Sequence, residues 1–296
     1  MRVVCVGLAT VDLVQRVERL PGVDEKAEAL SADVAAGGPA TNAAVTAAAL
    51  GASVTLVTAV GAHPLGALIR ADVAACGVSL LDAAPRATAP PPVSAVTVVR
   101  ATGQRTIVSR NARGADVTAP PGLADVLGAA DIVLVDGHHP ALARAAAACG
   151  RPLLLDAGSW RPVFADLLGA ADVVAASAAF RMPGAAAAGT GAALRAAGVR
   201  RGAITNGPDP VAWWSGDRGG ELPVPGVPAV DTAGAGDVFH GALAVALARD
   251  PDLLPALRYA VRIAGIRVRH AGPRAWLDAV RSQRKSAPGH APRFHT

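Results

Sequence analysis

Aromatic residues are scarce in this chain. Its 296 residues include four Trp, four Phe and one Tyr, 3% in all, so Ala, Val and Leu must fill the core. A basic stripe with interleaved aromatics, the pattern of a nucleic-acid surface, is absent. Cysteine is equally rare: Cys5, Cys76 and Cys149 are odd in number and far apart, which excludes a CxxC pair and a disulfide framework. A reducing cytoplasm is the expected location. Charged residues make up only 17% and apolar ones 52%, which excludes a disordered chain. No uninterrupted apolar stretch is long enough to span a bilayer. The start, "MRVVCVGLATVD", is broken by Asp12 and lacks a small-residue cleavage site, so it reads as a strand and not as a signal peptide.

The net charge of +5 is concentrated at one end. Four Lys/Arg and no acid fall between Arg281 and Thr296, so the body carries about +1. Residues 281–296 are expected to form a disordered basic tail behind a single domain of residues 1–280.

What is present is a βα rhythm. "RVVCVGL" (2–8), "SVTLVTAVG" (53–61), "DIVLVDG" (131–137), "PLLLDAG" (152–158), "VVAASA" (173–178) and "RGAITNG" (201–207) read as strands. Helices are expected over 37–52, 63–78, "ALARAAAAC", "GAALRAAGV", the stretch after Asp237, and "LLPALRYAVRIAGIRVRH". Alanine runs at 145–148 and 185–188 read as helix surface or tight helix packing. "VAWWSG" with "GELPVPG" suggests a late hairpin. Strands alternating with helices imply a mainly parallel sheet covered on both faces, with ligands at the carboxyl ends of the strands. Residues 9–35 and the proline-led hairpin at 89–111 stand apart and could form a small sheet of their own.

Three places could carry chemistry. In "DTAGAGD" a Gly/Ala run precedes a helix, leaving backbone N–H groups open to an anion such as phosphate. Asp237 at its end could take an alcohol proton during phosphoryl transfer, or simply cap the helix; on spacing alone the cap is the commoner role. In "GGPATNAA" (37–44) two glycines permit close approach of a ligand, and Asn42 offers a donor and an acceptor to sugar hydroxyls, or faces solvent as an ordinary helix residue. Asp12, four residues past the first strand, could accept hydrogen bonds from neighbouring hydroxyls or cap a turn.

Together these features resemble the ribokinase/PfkB family of carbohydrate kinases. Asp231, Thr232, Gly234, Ala235, Gly236, Asp237, Gly241 and Ala242 match its C-terminal signature, and Gly37, Gly38 and Asn42 its paired-glycine element. The resemblance runs from residue 2 to about residue 280 in order. It implies a ribokinase-like three-layer α/β/α sandwich with a mainly parallel central sheet, whose small β-sheet lid would be 9–35 and 89–111. It implies that Asp12, Gly37, Gly38 and Asn42 hold the sugar. Asp237 would deprotonate the acceptor hydroxyl, and the amides of Ala233, Gly234, Ala235 and Gly236 would stabilise the γ-phosphoryl of ATP-Mg²⁺. Thr205 and Gly207 would line the nucleotide, and the segment 262–274, Gly272 included, would wall the adenine. The same resemblance raises a K⁺ or similar monovalent-cation site beside Asp231, which this sequence does not itself show; the open edges of the lid strands suggest a homodimer through the lid. Membrane and nucleic acid are not expected partners.

Within the family, "GQRTIVSRN" and "VDGHH" look most like the ketohexokinase and sulfofructose kinase branch. That makes Arg105 and Lys26 candidates for sugar or anion contacts, although Lys26 could equally be a solvated charge; His138 is a candidate sugar contact, but it and Ser109 stand where an anion-selective sugar kinase would prefer Arg and Asn. The chain departs from the family at "ASAAFRMPG", where an N-x-x-E element is missing, and at "TNGPDP". Magnesium is then expected to be held mainly by phosphates and water. A nucleoside kinase would want aromatic lid residues, and 9–35 and 89–111 contain none. A catalytically weakened sugar-binding or regulatory protein is the other alternative. A dinucleotide-dependent oxidoreductase is disfavoured by the absence of GxGxxG after the first strand.

Overall fold

Short apolar runs build a sheet buried on both faces. The computed structural model describes residues 1–113, 117–184 and 189–284. Its main sheet contains β1 (Arg2–Val6), β4 (Ser53–Thr58), β5 (Val78–Asp82), β8 (Ile132–Val135), β9 (Leu153–Ala157), β10 (Val173–Ser177), β11 (Arg201–Asn206), β12 (Asp209–Ser215) and β13 (Arg218–Leu222). Their order is β13-β12-β11-β10-β9-β8-β1-β4-β5. β5 to β11 pair in parallel along this order, and the hairpin β12–β13 closes one edge antiparallel.

Alternation along the strands divides the interior into two cores. Val3, Cys5 and Leu154 point to one side; Val4, Val6, Leu153 and Leu155 point to the other. The first core is covered by α1 (Pro39–Ala49), α2 (Pro64–Ala75), α7 (Ala235–Arg249), α8 (Leu253–Arg267) and α9 (Leu277–Arg281). The second is covered by α3 (Leu123–Gly128), α4 (Pro140–Ala147), α5 (Phe164–Leu167) and α6 (Gly189–Ala196). This is the α/β/α sandwich implied by the sequence.

The two segments that stood apart do form a separate sheet. β2 (Thr10–Val17), β3 (Ser31–Gly37), β6 (Val93–Val99) and β7 (Arg105–Ser109) lie in the order β3-β2-β6-β7. Val14, Val96 and Val98 make its own small core. Val34, Ile107 and Val108 are exposed.

Some expectations shift. The helix expected over 63–78 stops at Ala75, because Gly77 takes a φ of +78° and turns the chain into β5, a strand the pattern did not reveal. β3 runs on to Gly37, so the lid strand leads directly into the glycine turn. The short helices α3, α5 and α9 were not foreseen. The alanine run at 185–188 and residues 285–296 of the tail lie outside the described residues. Among the described residues no helix is long and apolar enough to cross a membrane.

One contact positions the site. A Cβ on Gly241 of α7 would fall 2.4 Å from the carbonyl oxygen of Ala43 in α1. Glycine there lets the two helix backbones approach, which brings the amino-terminal turns of α1 and α7 together over the sheet.

Candidate active site

Asp237 sits in the first turn of α7, half-buried. It is not the helix cap: the cap position is Gly234, with a φ of +69° and no side-chain hydrogen bond. The Asp237 carboxylate instead accepts a hydrogen bond across the cleft, from Asn42 Nδ2 to its Oδ2 at 2.8 Å. That contact unites the two sequence motifs and settles the cap alternative against the cap.

Asp12 lies on β2, where Thr10 Oγ1 donates to its Oδ1 at 2.5 Å. A Cβ on Gly37 would fall 2.0 Å from the Asp12 carboxylate, so Gly37 is the space in which that carboxylate rests. Gly38 has a φ of +97°, and a Cβ there would meet Leu8 O at 2.4 Å. Burial raises the pKa of Asp12; hydrogen bonds from Thr10 and Ser94 pull it back, and Asp237 adds to the rise, leaving it above its ordinary value.

Of the four amides expected to hold phosphate, two are already used. Ala233 N donates to Asp231 Oδ1 at 2.9 Å and Ala235 N to Thr232 O at 3.3 Å. Gly234 N, Gly236 N and Asp237 N have no acceptor among the described residues. These free N–H groups stand at the positive end of a 15-residue helix, an arrangement that suits an anion. Of the expected run Ala233–Gly236, only Gly234 N and Gly236 N are free, and Asp237 N joins them.

Asp136, at the end of β8, was not singled out by sequence. Its Oδ2 accepts from Leu8 N at 2.8 Å and Ala40 N at 3.1 Å, and its Oδ1 from His138 N at 2.9 Å. It thereby clamps the end of β1 to the start of α1, next to Asn42. Burial pushes its pKa up, but His138 and the backbone N–H donors outweigh this, and it titrates below the usual carboxylate range. His138 Nδ1 lies 3.1 Å from Asp136 Oδ1. Arg161 Nη2 contacts His138 Nε2 on the other side of the ring. His138 is thus tied into a network whose outer member is Arg161.

Asp156, at the end of β9, is buried beside His240 of α7, with His240 Nδ1 3.4 Å from its Oδ2. His240 also lies 2.7 Å from Gly236 O through Nδ1 and 3.1 Å from Ala175 O through Nε2, fastening the helix start to β10. Burial pushes the Asp156 carboxyl up to about 6, opposed by His240 and reinforced by Asp237.

The remaining expected residues fall in different places. Arg105 Nη1 donates to both the carbonyl and the hydroxyl of Thr232 at 3.1 Å, so it pins the small sheet to the loop before α7. A cavity of 590 Å³ opens there, with Gln104, Arg105, Ile107 and Thr232 among its walls; neither Asp12 nor Asp237 lines it. Thr205 and Gly207 stand at the carboxyl end of β11, Thr205 half-buried and Gly207 in an exposed turn with a φ of +59°. Gly272 N donates to Asp231 Oδ2 at 3.1 Å. Lys26 is exposed in the β2–β3 loop and makes no hydrogen bond or ion pair with the described residues, so no contact among them brings it to the cleft. At the missing N-x-x-E element, Phe180 is fully buried against Trp160 and Phe164, with centroids 5.7 and 5.9 Å away. An aromatic core occupies the position at which the family carries an acid.

The expected monovalent-cation site is not borne by the geometry. Asp231 is fully buried, and its Oδ2 is 3.2 Å from Arg267 Nη2 and 3.5 Å from Arg16 Nη2. Guanidinium groups stand where the cation was expected.

An α/β/α sandwich with a small second sheet and an acid behind a glycine-rich helix start is the arrangement the sequence leads one to expect of a carbohydrate kinase. Residues 1–279 match the pfkB family carbohydrate kinases, and the chain belongs to that family. It is similar to the ribokinase of Bacillus subtilis (strain 168), 29% identical over 286 residues, covering 90% of this chain and 93% of that one. Its fold superposes on Arabidopsis thaliana ribokinase, solved with ribose and ATP, with a TM-score of 0.77, 25% identity and coverage of 96% and 98%. Adenosine kinase from Sinorhizobium meliloti superposes with a TM-score of 0.76 over 96% and 99% of the chains; at 20% identity that likeness shows the fold alone.

Proposed function

We propose that this sugar kinase transfers the γ-phosphoryl group of ATP to a primary hydroxyl of a ketose or related sugar. The observation that carries the reading is the convergence of Asp237, Asn42 and Asp12 beside the free amides of Gly234 and Gly236. Asp12 and Asn42 bind and orient the sugar hydroxyls. The acceptor oxygen attacks the γ-phosphorus, its proton passes to Asp237, and the bond to the ADP oxygen breaks. The amides of Gly234, Gly236 and Asp237 offset charge on the phosphoryl oxygens. The lid excludes water, so that the phosphoryl goes to sugar and not to hydrolysis.

No group of three or more His, Cys, Asp or Glu suited to a metal occurs among the described residues. Mg²⁺ would be held mainly by the nucleotide phosphates and water, and would neutralise phosphate charge there. The ketose assignment rests on the sequence resemblance to the ketohexokinase branch. Arg161, reaching the site through His138, and Arg105 supply positive charge for a sugar with an anionic substituent. The exposed apolar residues Val34, Ile107 and Val108 of the lid favour a homodimer through that sheet. Three free cysteines suit a reducing cytoplasm.

An ATP-consumption screen over ketoses, pentoses, sulfosugars, sugar phosphates and nucleosides tests the assignment. Highest kcat/KM on a ketose is expected. Highest kcat/KM on a nucleoside would overturn it, and binding of a sugar without phosphorylation would favour a regulatory role.

A further inference from the structure

The sequence resemblance places a monovalent cation beside Asp231, but the residues present do not fit one. Asp231 Oδ1 accepts from Ala233 N at 2.9 Å, and Oδ2 accepts from Gly272 N at 3.1 Å and Arg267 Nη2 at 3.2 Å. Arg267 Nη1 donates to Asp231 O at 3.3 Å and to His270 O at 2.8 Å. The oxygens that would coordinate a cation thus already face N–H donors. A second positive ion in this buried place would meet the Arg267 charge at short range and low dielectric.

Arg267 ends α8 and is 3% exposed. Packing does not require its charge, because Ala256, Leu257, Ala260 and Ile263 already seat the helix. Its hydrogen bonds go to the residues that fix the loop before α7. Asp231, held by Arg267, in turn holds the Ala233 amide, which sets the peptide entering Gly234. That arrangement leaves Gly234 N and Gly236 N free for phosphate. Arg16 of the lid donates to Val230 O at 3.3 Å and faces the same carboxylate. Two guanidinium groups against one carboxylate leave net positive charge behind the anion hole.

We propose that Arg267 is a built-in cation: a positioning residue that holds the 231–236 loop and makes phosphoryl transfer independent of K⁺ and other monovalent ions. The planar guanidinium binds one carboxylate and two carbonyls at once, the oxygens a spherical ion would have gathered. The inference rests on the kinase reading above.

The test compares wild-type protein in tetramethylammonium, sodium and potassium chloride at equal ionic strength. Thermal midpoint, ADP affinity by calorimetry and initial rate are measured. Less than about two-fold variation in affinity and rate is expected, with midpoints within about 1 °C. A K⁺-specific gain of about ten-fold in rate or ADP affinity would overturn the proposal. Arg267→Ala should lose about ten-fold or more in kcat with little change in sugar KM, and KCl should return part of the loss. Arg267→Lys should stay indifferent to K⁺ and keep most of kcat. An Arg267→Ala enzyme with wild-type kcat in the absence of K⁺ would also contradict the assignment. Should Arg267→Ala not fold, the wild-type ion exchange and Arg267→Lys decide alone. The midpoint and ADP readouts need no sugar, so a failure here is distinct from a failure of the kinase reading.

Discussion

Asn42 of α1 and Asp237 of α7, 195 residues apart, share a 2.8 Å hydrogen bond in which the amide nitrogen donates to the carboxylate. The bond depends on the close helix approach at Gly241 and joins the two sequence motifs of the candidate site. It also holds the Asp237 carboxylate toward α1.

Replacing Asn42 should therefore act on both motifs. Asn42→Ala removes a charge-assisted hydrogen bond and should cost about 10- to 100-fold in kcat/KM. Asn42→Asp places a second carboxylate against Asp237; its activity should fall further, and the acid limb of the pH–rate profile should move to higher pH. An unchanged profile for Asn42→Asp would separate the two residues in function.

Gly37 and Gly38 are adjacent but should fail differently. A methyl at Gly37 displaces the Asp12 carboxylate, so Gly37→Ala should raise sugar KM about ten-fold or more while Tm moves little. Gly38→Ala meets the backbone of Leu8 in a left-handed conformation and should cost about 1–3 kcal/mol of stability. Steady-state kinetics and chemical denaturation of the two variants distinguish these outcomes.

Asp156 gives the fold a definite pH dependence. Its carboxyl titrates at about 6 when folded, against an ordinary value of 3.8, because it is buried. The folded state then binds the proton more tightly, and this group's contribution to stability falls as pH rises from 3.8 through about 6. Asp156→Asn should remove that decline and stabilise the protein above pH 6 by on the order of 1–3 kcal/mol. Urea denaturation of both proteins at pH 5 and 8 measures it; equal differences at the two pH values would refute the assignment.

The α/β/α rhythm, the lid and the Gly-Ala-Gly-Asp helix start were legible because each is a local pattern. Periodicity marks strands and helices, and glycine marks where backbone must come close. Asp136 was not legible, since its role exists only once folding brings Leu8 N and Ala40 N to the end of β8. β5 was hidden because it begins one residue after the left-handed Gly77 that ends α2. Arg267 left a readable trace. Buried α8 positions Leu253, Ala256, Leu257, Ala260 and Ile263 continue at helical spacing to residue 267, so an arginine there falls on the inward stripe. A charge on that stripe requires a buried partner, and Asp231 is that partner.

The most direct measurement is transfer of label from [γ-³²P]ATP to the best sugar of the screen, by wild-type protein and by Asp237→Asn. Labelled sugar phosphate from the wild type is expected, with turnover by Asp237→Asn lower by about 10²- to 10⁴-fold and sugar affinity within a few-fold of wild type. Near-normal labelling by Asp237→Asn would contradict the account.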